Sequence, residues 1–234
     1  FKEFVSNIPK KGIIIAYGEN PFVKEALRGL NNVITYGYTD SNDFYAENVS
    51  FDDGGFPEYD ICHEGKVLCH LHLGVPGEHN VLNSMAAYVT ARYLGVSDDV
   101  IAGTLKSFKG THRRFYFTGV TKKGVKIVDD YAHHPTEIKA TLSAASKVKH
   151  NKLRVIFQPH TYTRTKALFE EFVESFDHVD SLIITDIYAA REKDVYGVSS
   201  YQLVNAIKAE YPDREVYYVQ DFEDIVNYLS ANAE

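Results

Sequence analysis

Cysteine is scarce in this sequence, and long apolar runs are missing from it. Two cysteines in 234 residues cannot build a disulfide framework, which indicates a protein of the reducing cytoplasm. No run approaches the roughly 18 apolar residues that a membrane-spanning helix requires, so we expect no membrane segment. The apolar stretch at 13–16 is also too short for a secretory signal.

Basic residues are outnumbered by acidic ones, 25 against 32, which gives a formal net charge of -7. Binding to a nucleic-acid backbone needs a net basic surface, so we expect no nucleic-acid partner. The 15 glycines and seven prolines are too few for a collagen-like or low-complexity segment. The only methionine is Met85 and the first residue is Phe1, so we expect the chain to be a piece of a longer protein.

Hydrophobic periodicity and turn residues predict an α/β protein of two domains, at 1–114 and 115–234. The first domain is expected to begin with a βαβ unit and to continue with an antiparallel hairpin that turns at Glu64 and Gly65. Its predicted elements are strands at 12–17, 33–36, 45–51, 59–63 and 66–73 and helices at 22–30, 80–93 and 97–108.

In the second domain, short apolar strands alternate with helices. The predicted strands lie at 125–128, 153–157, 181–185 and 215–219, and the predicted helices at 135–147, 163–176, 199–210 and 222–229. This alternation predicts a doubly wound, Rossmann-like parallel sheet. Ligands of such sheets bind at the carboxyl ends of the strands, so we expect the functional residues in the loops at 129–136, 158–164 and 186–192.

The first of these loops carries more titratable residues than a capped turn needs. Pro135 is typical of a first helical turn, so Asp130, His133 and His134 are expected at a helix N-terminus. Free backbone N–H groups and the helix dipole favour an anionic ligand there. The histidines could donate to phosphate or carboxylate oxygens, and the carboxylate could accept from sugar hydroxyls.

Two clusters of cations also indicate anionic ligands. Arg164 falls in the first turn of its helix, where a cation opposes the helix dipole. An anionic partner shared with His160 would explain that position, and so would a surface ion pair. In the junction at 110–114, Arg113 and Arg114 could hold phosphate through bidentate hydrogen bonds or could form a solvated charge run.

Cysteine and histidine residues on the hairpin have the composition of a zinc site but not its geometry. Alternation along a strand puts Cys69 and Leu71 on one face and His70 and His72 on the other. The ligands would therefore diverge, and we predict no metal site in the hairpin.

Four motifs occur in the order and at the spacing that are typical of one family. They are GEHNVLN at 77–83, GTHRRF at 110–115, DDYAHHPTE at 129–137 and FQPHTYTRT at 157–165. Together they closely resemble the Mur ligases, over about residues 1–230. The resemblance implies part of a central ATPase domain followed by a Rossmann-like C-terminal domain.

The activity implied by the resemblance is an ATP-dependent ligase of bacterial peptidoglycan synthesis in the cytoplasm. Such an enzyme joins L-alanine to UDP-N-acetylmuramate, whose carboxylate is first activated as an acyl phosphate. Two anionic reactants and a phosphoryl group in transfer need cationic and hydrogen-bond-donating side chains rather than a protein nucleophile. The implied cofactors are ATP and Mg²⁺, and neither a membrane nor a nucleic acid is implied as a partner.

Carried over position by position, the resemblance implies two sets of site residues. The asparagines would face the adenine, Arg114 the phosphates and Asp130 the ribose, so the ATP-binding set is His79, Asn80, Asn83, Arg114 and Asp130. The set around the acyl phosphate and the alanine is Tyr131, His133, His160 and Arg164. Tyr188 and Glu192 lie on a neighbouring loop, and Thr161 stands where family members often carry arginine.

Other parts of the family pattern are expected outside this sequence, because nothing here matches G-x-x-x-x-G-K-[ST]. We expect the UDP-binding domain, the phosphate loop and most magnesium ligands upstream of Phe1, and a last Gly-rich strand after the helix at 222–229. The chain alone is therefore expected to be inactive.

Two alternatives stay open at this point. One is the related ligase that attaches a tripeptide to the same nucleotide sugar. The other, from a different class, is a metal-dependent phosphohydrolase. Its metal ligands would be Asp129, Asp130, His133, His134 and His160.

Overall fold

A computed structural model describes residues 2–9 and 11–232. The chain divides into two compact units, Phe1–Lys109 and Gly110–Glu234. Within the described ranges, no helix combines the length and the apolar character needed to cross a membrane.

The first unit is built on a five-stranded sheet with the order β1-β2-β3-β4-β5. β2 pairs in parallel with both β1 and β3, and β3, β4 and β5 form an antiparallel meander. The elements in chain order are α1 (Lys2–Ser6), β1 (Ile14–Tyr17), α2 (Pro21–Ala26), β2 (Val33–Gly37), β3 (Phe44–Phe51), β4 (Pro57–His63), β5 (Lys66–His72), α3 (His79–Tyr93) and α4 (Asp98–Ser107).

The predicted βαβ start and hairpin are confirmed, with two differences. Glu64 and Gly65 both have positive φ, 49° and 73°, and form the two-residue turn between β4 and β5. The helix predicted at 22–30 is wrong at its end, because α2 stops at Ala26. The short helix α1 was not predicted from the sequence.

The core of the first unit lies between the sheet and α3. Tyr59 and Leu71 from the sheet, together with Val81, Met85 and Tyr88 from α3, are completely buried. The Tyr59 hydroxyl lies 2.7 Å from Ser84 Oγ, so this buried phenol has a partner. The packing fixes α3, whose first five residues include three of the predicted ATP-binding residues.

Glu19 joins the loops that follow β1 and β2. Its Oε1 accepts hydrogen bonds from Tyr38 N at 2.6 Å, Thr39 N at 2.7 Å and Asn42 Nδ2 at 3.0 Å. Burial of the carboxyl opposes its charge, but these hydrogen bonds prevail, and the pKa of Glu19 is lowered. A Cβ at Gly37 would lie 2.4 Å from Glu19 Oε1, so this close approach requires glycine.

The second unit contains two separate sheets. A three-stranded parallel sheet has the order β10-β9-β8, and β6 and β7 form an antiparallel pair. The elements in chain order are β6 (Tyr116–Val120), β7 (Lys126–Asp129), α5 (Pro135–Lys147), β8 (Arg154–Phe157), α6 (Tyr162–Ala167), α7 (Phe169–Val173), β9 (Ser181–Ile184), α8 (Ser200–Glu210), β10 (Glu215–Tyr218) and α9 (Phe222–Asn232).

The strand at 125–128 was expected to join the parallel sheet, and this expectation is wrong. β7 pairs antiparallel with β6 instead of joining the parallel sheet. No residue of either strand is buried, and Phe117 and Ile127 remain 54% and 46% exposed. No strand was predicted at β6, which follows the segment interpreted as a junction at 110–114.

A cluster of aromatic and aliphatic residues forms the core of the second unit. Phe157 of β8 packs against Phe172 and Phe176, with ring centroids 5.7 and 5.3 Å apart. β9 is buried along its whole length, as expected for a central strand covered on both faces. The single helix predicted at 163–176 is wrong, because it is interrupted at Leu168 between α6 and α7.

Candidate functional site

The residues predicted around the acyl phosphate and the alanine lie close together in the second unit. The ring centroids of Tyr131 and His133 are 5.0 Å apart, those of His133 and His160 are 5.7 Å apart, and those of His160 and Tyr188 are 5.4 Å apart. Arg164 Nη1 lies 3.3 Å from His160 Nδ1. The loops after β7, β8 and β9 therefore contribute to one continuous row of aromatic and cationic side chains.

The loop after β7 sets the orientation of Tyr131 and His133. Tyr131 N donates to Arg113 O at 2.8 Å, and the Arg113 guanidinium lies 4.4 Å from the centroid of the Tyr131 ring. His133 Nδ1 lies 2.8 Å from Tyr131 O, which leaves Nε2 as the nitrogen directed away from the backbone. The two side chains are thus tied to the junction that precedes β6.

Glu137 is the centre of the polar network at the start of α5. Its Oε2 accepts from His133 N at 3.1 Å and His134 N at 3.3 Å, and its Oε1 lies 3.6 Å from Arg114 Nη1. Burial opposes the charge of this carboxyl, but the hydrogen bonds and the nearby cations prevail, and the pKa of Glu137 is lowered.

The expectation of free N–H groups at this helix start is therefore wrong for three amides. Glu137 accepts from the amides of His133 and His134, and His134 Nδ1 accepts from Thr136 N at 3.3 Å. His134 is the N-cap of α5 and forms a capping box with Glu137. The hydrogen bonds give His134 a structural task within the loop.

Asp130 also has backbone partners. Its Oδ2 accepts from Phe115 N at 2.7 Å, and its Oδ1 accepts from Ala132 N at 2.7 Å. Phe115 has a φ of 46°, so the carboxylate holds an unusual turn of the chain next to Arg114. Each carboxylate oxygen can accept a second hydrogen bond, which keeps Asp130 able to bind a hydroxyl group.

His160 and Arg164 lie at the end of β8 and in the first turn of α6. Arg164 Nη1 is 3.4 Å from His160 O in addition to its approach to the ring. Partial burial, the charge of Arg164 and the proximity of His133 lower the pKa of His160. The imidazole is therefore mainly uncharged at neutral pH, and Arg164 carries the permanent positive charge of this pair.

Three residues of the predicted ATP-binding set, His79, Asn80 and Asn83, lie at the start of α3 in the first unit. Asn80 Nδ2 donates to Pro76 O at 2.7 Å, and Asn83 Nδ2 donates to Asn80 Oδ1 at 3.1 Å. His79, the first residue of α3, is exposed, as is Asn83. The two carboxamides are thus oriented by each other and by the Pro-Gly turn before the helix.

Metal ligation finds no support in the described part of the chain. No group of three or more histidine, cysteine, aspartate or glutamate side chains there is arranged to hold a metal ion. On the hairpin, Leu71 is completely buried, whereas His70 Nδ1 lies 2.8 Å from Asp60 Oδ1 on the other face.

The sequence analysis gave no role to two of the carboxylates that organise the row of side chains. Glu137 could have been found, because it follows the cap residue His134 by three positions and so fits a capping box. Glu192 had no such local signal: Thr163 N donates to it at 2.9 Å across 29 positions of sequence.

Comparison with known protein families agrees with this geometry. Residues 113–234 match the Mur ligase, glutamate ligase domain, and residues 1–91 match the Mur ligase middle domain.

Curated relatives of this chain are also ligases of this family. The chain is 44% identical over 235 residues to a UDP-N-acetylmuramate--L-alanine ligase of Caldanaerobacter subterraneus subsp. tengcongensis. It is 48% identical over 235 residues to the ligase of that name from Alkaliphilus metalliredigens. Each match covers 100% of this chain and 50% of the relative, so the chain spans about half the length of these relatives.

Solved structures share the fold. The UDP-N-acetylmuramate-alanine ligase from Thermotoga maritima is 25% identical and has a TM-score of 0.73, with 92% of this chain and 44% of that chain covered. A murein peptide ligase from Psychrobacter arcticus is 22% identical with a TM-score of 0.70, over 100% of this chain and 48% of that chain. The matches to both domains, together with the row of site residues, lead to one assignment: the chain belongs to the Mur ligase family.

Proposed function

We propose that this chain is part of an ATP-dependent ligase that joins L-alanine to UDP-N-acetylmuramate through an acyl phosphate. The observation that carries the proposal is the row formed by Tyr131, His133, His160 and Arg164 at the ends of β7 and β8. The 44–48% identity to ligases of that name supports the choice of the two substrates.

The side chains of the row suit the charges of such a reaction. Arg164 is a permanent cation that can donate to phosphate or carboxylate oxygens. His133 Nδ1 donates to the backbone oxygen of Tyr131, so its Nε2 accepts hydrogen bonds in the neutral ring and donates only in the imidazolium form. Donors in fixed positions stabilise the charge that develops on a tetrahedral intermediate, and they do so without a protein nucleophile.

His160 has a different task in this proposal. Its lowered pKa keeps the ring uncharged at neutral pH, so the ring can accept a proton from the amine that attacks the acyl phosphate. The positive charge of Arg164 keeps the ring uncharged before the reaction, because a neighbouring cation opposes protonation of the imidazole. The pair thus combines a proton acceptor and a cation at neighbouring positions.

The residues proposed for ATP fit the chemistry of a nucleotide. A carboxamide can donate to N7 and accept from the N6 amino group of adenine, which suits exposed Asn83 beside Asn80. Arg114 is 54% exposed on its side chain, and the Asp130 oxygens retain acceptor capacity for a ribose hydroxyl. ATP would supply the phosphoryl group that activates the substrate carboxylate. No residue of the described chain is assigned to Mg²⁺.

The two alternatives are less favoured. The phosphohydrolase hypothesis needs a cluster of metal ligands, but no three of the described histidine, cysteine, aspartate or glutamate side chains are grouped to hold a metal ion, and His134 Nδ1 already accepts from a backbone amide. The murein peptide ligase shares the fold at 22% identity, whereas the curated relatives at 44% and 48% identity are named as L-alanine ligases. We also propose a cytoplasmic location, where ATP and nucleotide-activated sugars are available.

The test uses the longer protein that contains this chain. We expect ADP release that depends on both UDP-N-acetylmuramate and L-alanine, measured by a coupled assay. An Arg164→Ala variant should lower turnover at least about tenfold, whereas a Lys139→Ala variant on the exposed side of α5 should not. Use of a tripeptide with no response to L-alanine would overturn the proposed substrate, and unchanged turnover in Arg164→Ala would overturn the role of the row.

A further inference from the structure

Helix α6 begins without the usual cap. Its N-cap residue, Thr161, makes no side-chain hydrogen bond that caps the helix and has a φ of 69° and a ψ of 142°. This conformation is costly for any residue other than glycine. Arg164 is the third residue of this six-residue helix, so it belongs to the first turn as well as to the last. The turn that carries Arg164 therefore needs stabilisation from outside the helix.

Glu192 provides this stabilisation from another loop. Its Oε2 accepts from Thr163 N at 2.9 Å, and its Oε1 accepts from the Thr163 hydroxyl. The two contacts engage both oxygens of one carboxylate with one residue of the first turn. They lower the pKa of Glu192, with smaller contributions from Tyr162 and Thr161, so the negative charge persists at neutral pH.

The loop that carries Glu192 is itself attached to the loop after β8. Tyr188 N donates to Pro159 O at 2.8 Å, and Thr161 N donates to Tyr188 O at 2.9 Å. Glu192 N donates to Ala189 O at 2.9 Å and closes a turn just before the carboxylate. These backbone hydrogen bonds hold the two loops side by side. The contact of Glu192 with Thr163 then connects the second loop to α6.

We propose that Glu192 is a positioning residue, whose carboxylate holds the first turn of α6 and thereby fixes Arg164 against His160. Glu192 acts through Thr163 and contacts neither the acyl phosphate nor the alanine. The catalytic importance of the contact between Arg164 and His160 rests on the proposed function. The effect of Glu192 on α6 does not, because it can be measured on the 234-residue chain alone.

The first measurement is amide hydrogen exchange on the whole 234-residue chain. A Glu192→Ala variant should accelerate exchange at Thr163 and Arg164 by roughly 3- to 30-fold, the range expected from the loss of a helix cap. Glu192→Gln should have a smaller effect, because its amide oxygen can still accept from Thr163. Glu223→Gln is the matched control, since Glu223 is an exposed carboxylate in the first turn of α9. Unchanged exchange in Glu192→Ala would overturn the proposal.

The second measurement is the titration of His160 by NMR in the same variants. Partial burial, Arg164 and His133 lower the pKa of His160, Glu192 raises it, and the ring of Tyr188 lies beside the imidazole. Glu192→Gln removes the charge but keeps an acceptor for Thr163, so it should lower the pKa of His160 further, and Glu223→Gln should leave it unchanged. An unchanged or raised pKa in Glu192→Gln would contradict the proposed arrangement.

The third measurement uses the longer protein. Glu192→Ala should raise the KM for L-alanine and lower kcat, and Glu192→Asp should recover part of the loss. Equal activity of wild type and Glu192→Ala would overturn the catalytic consequence. If the wild-type protein does not use L-alanine, the proposed function fails, but exchange and titration still decide whether Glu192 positions α6.

Discussion

Replacement of Glu137 by alanine removes the carboxylate that organises the start of α5. The variant loses hydrogen bonds from His133 N and His134 N, together with a 3.6 Å approach to Arg114. Hydrogen bonds to a charged group contribute about 1.5–3 kcal/mol each when desolvated, but this side chain is 35% exposed. We therefore expect Glu137→Ala to lower the free energy of unfolding by about 1–2 kcal/mol, which is close to the cost of removing a helix N-cap.

Calorimetry of the whole chain measures this loss as a lower Tm of the second unit. About 4 °C per kcal/mol is expected for a unit of this size, so Glu137→Ala should lower the Tm by roughly 4–8 °C. Glu223→Ala, which removes an exposed first-turn carboxylate from α9, is the control and should change the Tm by less than about 2 °C.

The pH dependence of the loss is a second test. The pKa of Glu137 is lowered in the folded chain, so its contribution is complete above the pKa of the unfolded chain, about 4.3. It should decline as the pH falls through the lower folded-state pKa. The difference between wild type and Glu137→Ala should thus be largest near neutral pH. A difference below about 0.5 kcal/mol at pH 7, or one that grows on acidification, would refute this account of the helix start.

Three further predictions concern the core, the first unit and nucleotide binding. Phe176→Ala should destabilise the second unit by about 3–5 kcal/mol in urea unfolding, because the ring is completely buried, and a loss below about 1 kcal/mol would contradict that packing. Glu19→Gln should speed amide exchange at Tyr38 and Thr39 at pH 7 but not below the lowered pKa of Glu19, where the wild-type carboxyl is also protonated. Calorimetric titration of the 234-residue chain with Mg-ATP should give millimolar or weaker binding, since the sequence has no match to the phosphate-loop pattern; a Kd below about 50 μM would contradict this.

Elements with strong local signals were predictable from the sequence. The helix predicted at 135–147 matches α5, because Pro135 marks its start and its apolar residues recur at helical spacing. The part of the row that follows β8 and β9 was also predictable, since the carboxyl ends of neighbouring parallel strands meet at one edge of the sheet. His133 was expected beside His160 on the same ground, and their rings are 5.7 Å apart, but β7 belongs to a different sheet, so the strand-end rule does not explain that contact.

Features that depend on tertiary contacts were not predictable. The segment at 163–176 contains no glycine or proline, so its interruption at Leu168 reflects packing, in which Leu168 and Phe169 both contact the core. The antiparallel pairing of β7 has no signal in β7 itself, because the same apolar strand could pair with either kind of neighbour. The contact between Thr163 and Glu192 joins residues 29 positions apart, which no local pattern reveals.

The exposure of β6 and β7 has a consequence for local opening. A two-stranded ribbon without buried residues has little to hold it closed beyond its own ladder, so it should open at a much lower free energy than the buried strand β9. Tyr131 lies two residues after β7, and its backbone is hydrogen-bonded to Arg113 just before β6. Opening of the ribbon would release the end of the row at Tyr131, while α6 and His160 stay in place. The row thus has a firm end and a labile end, and amide exchange along the chain should distinguish them.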